Sequence, residues 1–300
     1  MKRFLYKIGI FGLLVFVLLN GIAFLSLYFL GKSCLYKPQY LQNGVKENQF
    51  DYLVLGSSIG LTTLNTKAID SLTGKRGLNM SMDDTSMGTH YLMLQHYYAL
   101  GKKTDNVVLT VTPWDAVDSI PELGNNDFQF ITYLREDYAY QYYASMEKEL
   151  FKPLTISTYF PLIGVSYYNV EVFYPSLLAT VHPNKRNRFD DRGNYTYPVN
   201  TSDLKGKEQE VSKLLFLNPY YKKIVALCKE NNSELVVYIA PMYKRQVVLA
   251  VDDPKVINHS EFLSDSKLFY DHIHVNHLGR AEASAEFAKE MRILFENGEK

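Results

Sequence analysis

A chain of 300 residues with 47% hydrophobic and 21% charged side chains carries enough apolar material for one sizeable core and an appendage, and too little for two large domains. Its formal net charge is zero and no Lys/Arg block is long enough to follow a phosphate backbone, which argues against a nucleic-acid partner. Cys34 lies just past an apolar run and Cys228 inside a helical pattern, so no disulfide framework is implied.

From Ile8 to Leu30 the chain is almost wholly apolar and uncharged, long enough as a helix to cross a hydrocarbon core of about 30 Å. Residues 8–30 therefore read as a transmembrane anchor. Lys2, Arg3 and Lys7 precede it, and the positive-inside bias makes residues 1–7 a cytoplasmic tail and places everything after Gly31 on the other face; Lys32 and Lys37 oppose that bias weakly. A cleaved signal peptide fits less well, because the run exceeds an h-region of about 7 to 15 residues and no A-x-A-like site clearly follows. Residues 31–47, with Pro38 and several polar side chains, read as a linker.

Beyond the linker, short apolar runs alternate with helical stretches, which is the α/β pattern. Strands are predicted at Tyr52–Leu55, Gly77–Met80, Asn106–Val111, Leu235–Ala240 and Lys267–Tyr270, several of them continuous Val/Leu/Ile runs as expected of parallel strands buried on both faces. Helices are predicted at Ser86–Leu100, Gln209–Asn231 and Leu278–Phe295, the last with Ala283, Phe287 and Met291 on one face. Between about 116 and 204 the rhythm breaks into a stretch dense in Tyr and Phe, including Tyr138, Tyr142, Tyr143, Tyr159, Phe160 and Tyr167. A structureless loop of that length is improbable, so this segment reads as a helical insertion that ends in the turn-like Asp190-Asp191-Arg192-Gly193-Asn194. Its aromatics suit packing on the sheet, a lid, or contact with a sugar, lipid or membrane surface.

Two blocks carry chemistry. The strand Tyr52-Leu53-Val54-Leu55 runs into Gly56-Ser57-Ser58, which places a hydroxyl at the carboxyl end of a parallel strand, where reactive groups collect. Such a Gly-Ser-Ser is also an ordinary turn and N-cap. The second block, Tyr270-Asp271-His272-Ile273-His274-Val275-Asn276-His277, precedes the last helix. A serine hydroxyl needs a base, and the base needs an acid to fix its tautomer. Three residues apart on a tight loop, Asp271 and His274 supply both.

These two blocks resemble the SGNH (GDSL-like) hydrolase superfamily, whose nucleophile follows the first strand in Gly-Asp-Ser and whose last block reads Asp-x-x-His. The resemblance covers about Phe50 to Phe295 of a domain placed at 48–300, with the insertion unmatched. It implies a three-layer α/β/α, flavodoxin-like domain of about five parallel strands with Ser58, His274 and Asp271 as catalytic triad. Ser57 takes the place of the family's Asp and is the alternative nucleophile. The family's oxyanion hole adds a Gly N–H from its second block and an Asn from its third; here the corresponding stretches read Leu78-Asn79-Met80-Ser81-Met82-Asp83-Asp84 and Thr110-Val111-Thr112-Pro113-Trp114-Asp115, without Gly-x-Asn-Asp. Backbone N–H groups at Ser58 or after Asn79 are the substitutes, with Asp83 and Trp114 as further pocket candidates. The layout is also similar to the anchored acyl-transfer proteins of alginate acetylation and lipoteichoic acid D-alanylation. That similarity implies an extracytoplasmic serine esterase or O-acyltransferase acting on acyl esters of a surface glycan, with a multispanning acyltransferase as possible partner and no cofactor.

The same residues admit other readings. His272, His274 and His277 are close enough in sequence to suggest a metal cluster, but on an extended loop His277 begins the helix and the three do not converge, so no metal is expected. Asn276 reads as an N-cap, and His90 and His96 as structural. A non-catalytic protein of this fold, binding a glycan or the acyltransferase partner, is the main alternative, and a purely structural anchored domain the last.

Overall fold

Continuous Val/Leu runs bounded by polar turns become central strands, because a strand covered on both faces has no use for alternation. The computed structural model describes residues 1–117, 122–148, 151–200, 204, 208–249 and 255–297. In chain order the helices are α1 (Lys2–Gly31), α2 (Lys37–Asn43), α3 (Ser58–Thr63), α4 (Thr66–Thr73), α5 (Met87–Ala99), α6 (Pro113–Val117), α7 (Asp137–Met146), α8 (Pro153–Ser157), α9 (Pro161–Tyr167), α10 (Tyr174–Val181), α11 (Pro219–Glu230) and α12 (His277–Asn297). The strands are β1 (Gln49–Leu55), β2 (Gly77–Asn79), β3 (Lys103–Thr110), β4 (Glu210–Leu214), β5 (Glu234–Ile239), β6 (Arg245–Leu249) and β7 (Val256–Asn258). The chain divides into two compact units, one of Met1–Gly44 with Asp127–Asn187, the other of Val45–Asn126 with Arg188–Lys300.

The larger unit is built on a five-stranded parallel sheet in the order β2-β1-β3-β5-β7. β1 lies between β2 and β3, so the direction of winding reverses beside it, and the crevice at the carboxyl ends of β1 and β3 is where open α/β sheets place their ligands. Helix α12 packs on α3 and α4, and α11 packs on α5, an arrangement consistent with three layers. Ala283, Phe287 and Met291 form the buried face of α12 as their spacing predicts.

Two sequence expectations are corrected here. The fifth strand is β7, not Lys267–Tyr270; Ser266–Leu268 is a short 3-10 turn, and Phe269 makes an isolated antiparallel bridge to Val275. β7 offers only Val256 and Ile257 as an apolar run before the polar Asn258-His259-Ser260, whereas the apolar run near Phe269 is spent on burying a loop. Likewise the helix expected from Gln209 begins only at Pro219, because Glu210–Leu214 pairs with Arg245–Leu249 in a separate two-stranded parallel sheet.

The Asp190–Asn194 turn belongs to the larger unit. The Asp190 carboxylate accepts the backbone N–H groups of Arg192 and Asn194 at 2.8 and 2.9 Å and pairs with Lys67 at 3.2 Å, while Asn194 Oδ1 accepts the Thr66 N–H at the start of α4. Burial pushes the Asp190 carboxyl up, and the bonds from Asn194, Arg192 and Lys67 outweigh it and hold the pKa below 3.8. A carboxyl whose folded pKa is depressed stabilises the fold above its ordinary range and loses that contribution as pH falls through the folded value. Asp190→Asn is therefore expected to unfold at lower denaturant than the wild type at neutral pH, with the gap closing in acid. An equal gap at both ends of the titration would show that the charge contributes nothing.

The smaller unit gathers α1, α2 and α7–α10. Most of α1 exposes apolar side chains, and only Ala23, Ser26 and Leu30 are buried, a single stripe at helical spacing. The segment read as a linker contains α2, whose Gln39 donates to the Gln129 carbonyl at 2.8 Å and to Thr132 Oγ1 at 2.7 Å. The aromatic insertion is helical over α7–α10, and α9 and α10 pack on α1. Residues 118–121, 149–150 and 201–203 of the span assigned to it lie outside the described residues.

Candidate active site

The site is assembled from two strand-end structures of the larger unit. β1 stops at Leu55, and Gly56 allows the chain to pass against β3: a Cβ at Gly56 would lie 1.7 Å from Thr110 Oγ1, which itself donates to the Leu55 carbonyl at 2.9 Å. Ser57 then takes the N-cap position in extended conformation, and Ser58 is the first residue of α3. Helix formation follows at once, with the Leu61 N–H bonded to the Ser57 carbonyl and Thr62 Oγ1 to the Ser58 carbonyl.

The other half is the loop before α12. Its base is held by the Phe269–Val275 bridge, by Tyr270 N–H on the His274 carbonyl at 2.8 Å and by Asn276 N–H on the Leu268 carbonyl at 3.0 Å. Asn276 caps α12 as its position suggests, with Oδ1 accepting the Leu278 N–H at 2.9 Å and Nδ2 donating to the Lys267 carbonyl at 2.7 Å. Leu204, Tyr243, Leu263, Phe269 and Val275 form a small apolar cluster that buries the loop's inner side.

On this loop Asp271 Oδ1 accepts the N–H groups of Ile273 and His274, each at 2.8 Å, and the carboxylate meets His274 Nδ1 at 2.9 and 3.1 Å. Burial raises the Asp271 pKa, and the His274 and backbone hydrogen bonds overcome this and leave it below the ordinary carboxylate value, so Asp271 is ionised at neutral pH. His274 Nε2 lies 2.8 Å from Ser58 Oγ. Residues 216 positions apart thus form a continuous carboxylate–imidazole–hydroxyl chain. No family model matches the chain, and no curated protein is significantly similar to it, so the chemical reading rests on this geometry.

Ser57 is not the serine paired with His274. Asn79 is fully buried and both N–H bonds of its side chain go to carbonyls, of Gly60 at 3.0 Å and Leu64 at 3.2 Å, while Oδ1 accepts the Ser81 N–H. Its side chain braces α3 against β2. Asp83 is partly buried and raises the pKa of Tyr197 together with burial of that phenol, to about 12. Trp114 is 42% exposed with the Arg245 guanidinium 4.9 Å from its ring centre, a cation–π contact. His272 is exposed and stacks on Tyr243, His277 is exposed, and among the described residues no three His, Cys, Asp or Glu groups converge as a metal site requires. His90 and His96 are buried in α5, with burial pushing His90 down to about 3. Cys34 and Cys228 are buried free thiols.

One residue beside the imidazole escaped sequence reasoning. The ring of Tyr197 meets the His274 imidazole edge-on at 5.3 Å and stacks on Tyr270 at 4.3 Å, and its carbonyl accepts the His277 N–H at 3.1 Å. Tyr270 was visible as the neighbour of Asp271, but Tyr197 lay among many tyrosines with no local signal to separate it. Ser81 Oγ, buried without a hydrogen-bond partner, faces Gly60.

Proposed function

We propose that this protein is a serine esterase or O-acyltransferase of the SGNH kind, anchored by α1, with its catalytic unit on the extracytoplasmic side and acyl esters of a surface glycan as substrates. One observation carries the reading: a buried imidazole lies 2.8 Å from a serine hydroxyl while its other nitrogen is held by a carboxylate. In this reading Ser58 Oγ attacks the ester carbonyl, His274 Nε2 takes the hydroxyl proton and returns it to the departing alcohol, and Asp271 stabilises the imidazolium. The resulting acyl-Ser58 is resolved by water in an esterase, or by a sugar hydroxyl in a transferase. Exposed side chains such as Phe11, Leu14 and Leu18 along α1 form an apolar surface too continuous for water, which supports the anchor; Lys2, Arg3 and Lys7 support a cytoplasmic N-terminus.

The backbone N–H groups after Asn79 are engaged, Met80 with the Val54 carbonyl, Ser81 with Asn79 Oδ1 and Met82 with the Gly56 carbonyl, which favours the second reading, a non-catalytic binding protein of this fold, because an oxyanion donor is worth about 2.7 to 4 kcal/mol in the transition state. A fluorophosphonate probe separates the two. Attack by Ser58 Oγ on phosphorus with loss of fluoride is expected to give an adduct on the Ser58 peptide, absent in Ser58→Ala and much slower in His274→Ala. A folded wild type left unmodified would favour binding over catalysis.

A further inference from the structure

We infer that α8 and α9 form a re-entrant hairpin whose tip, Tyr159-Phe160, sits among the acyl chains of the membrane; this rests on the reading of α1 as the anchor. Depth along α1 is the ruler. Asn20 lies eleven residues before Gly31, about 16 Å along a helix axis and near the middle of a hydrocarbon slab of about 30 Å. Asn20 Oδ1 accepts the Leu162 N–H at 3.2 Å, and Phe160 packs on Phe16 at 5.7 Å between ring centres, deeper still.

Lipid demands that backbone polar groups be satisfied internally, and the N–H groups of the tip meet that demand. Thr158 N–H bonds to the Thr155 carbonyl, Tyr159 and Phe160 N–H to that of Ile156, and Ile163 N–H to that of Phe160. Pro161 has no N–H, and the Leu162 N–H is taken by Asn20, whose Nδ2 in turn donates to the Phe16 carbonyl at 3.0 Å. The two legs approach closely through Gly164, where a Cβ would lie 2.3 Å from Ser157 Oγ, the small-residue contact by which membrane helices pack.

Composition follows the same axis. From Pro153 to Val181 the only charged residue is Glu171, although Tyr159 is 70% and Val170 63% exposed. Glu171 lies toward the outer end of α1, its carbonyl accepting the hydroxyl of Tyr36, five residues past Gly31, at 2.6 Å. Arg135, with its guanidinium 5.9 Å from the Phe24 ring, sits at a shallower level than Phe160. The level of Phe16, Asn20 and Phe160 thus carries no charged side chain of α1, α8 or α9, and Arg135, about 10 Å inside the outer end of α1, is nearer that end.

The test uses the full chain in phosphatidylcholine vesicles brominated near the acyl-chain ends. With Trp114→Phe, which removes the single tryptophan, one tryptophan is introduced as Tyr159→Trp, as Phe160→Trp, or as Leu18→Trp on the exposed side of α1 near mid-depth. Loss of most of the emission from either tip variant, matching the loss at Leu18→Trp, is expected. Quenching at Leu18→Trp with both tip variants unquenched would overturn the hairpin and leave the anchor. No quenching at any of the three would overturn the anchor and the hairpin with it.

Discussion

Ser58→Ala is expected to lower kcat for acetyl-ester turnover by about 10⁴ to 10⁶, and His274→Ala by a similar factor. The two losses have one origin, because a hydroxyl 2.8 Å from His274 Nε2 is nucleophilic only when that nitrogen takes its proton. The double variant is therefore expected to be hardly worse than either single one. Ser57→Ala distinguishes the adjacent hydroxyls: an equal loss there, with folding intact, would transfer the nucleophile to Ser57. Circular dichroism on each variant excludes collapse of α3 as the cause. Wild-type turnover no higher than that of Ser58→Ala would sink the esterase reading.

Asp271→Asn is the second large effect, about 10⁴ in kcat. An asparagine oxygen in place of Oδ1 can still accept the N–H groups of Ile273 and His274, so the loop is expected to keep its shape. Its amide, however, would present N–H to His274 Nδ1 and drive the imidazole proton to Nε2. There it faces Ser58 Oγ as a donor and cannot act as base. Loss in kcat with KM little changed would identify Asp271 as the residue that sets the tautomer. An unchanged kcat would reduce it to a loop brace.

Much of this was legible locally. The apolar run of α1, four strands of the main sheet, the buried face of α12 and the Asn276 cap each rest on patterns within a few residues, as do the Gly56-Ser57-Ser58 and Asp271–His274 blocks. The edge strand β7 was not legible, since Val256 and Ile257 alone make its apolar run, and the strand expected at Lys267–Tyr270 proved to be a loop base whose apolar side chains pack on Tyr243 and Leu263. Nor was the role of Tyr197, set by a contact across the chain with His274 and Tyr270.

Sequence alone determined which segments are apolar, which turn, and which residue types stand at strand ends, because backbone propensity and hydrophobic periodicity act over one or two turns of chain. It also determined that Asp271 and His274 lie within reach of each other, three residues apart. Tertiary structure decided the rest. Strand order brings β1 beside β3 at the reversal of winding, and helix α12 packs on α3, which carries Ser58 to His274 across 216 positions. The partner of α1 was decided the same way: a helix apolar all round does not specify which face is covered, and only the fold of the aromatic insertion selects Ala23, Ser26 and Leu30 for burial. Burial and pairing at long sequence separation are properties of the packed chain, and no local window of residues contains them.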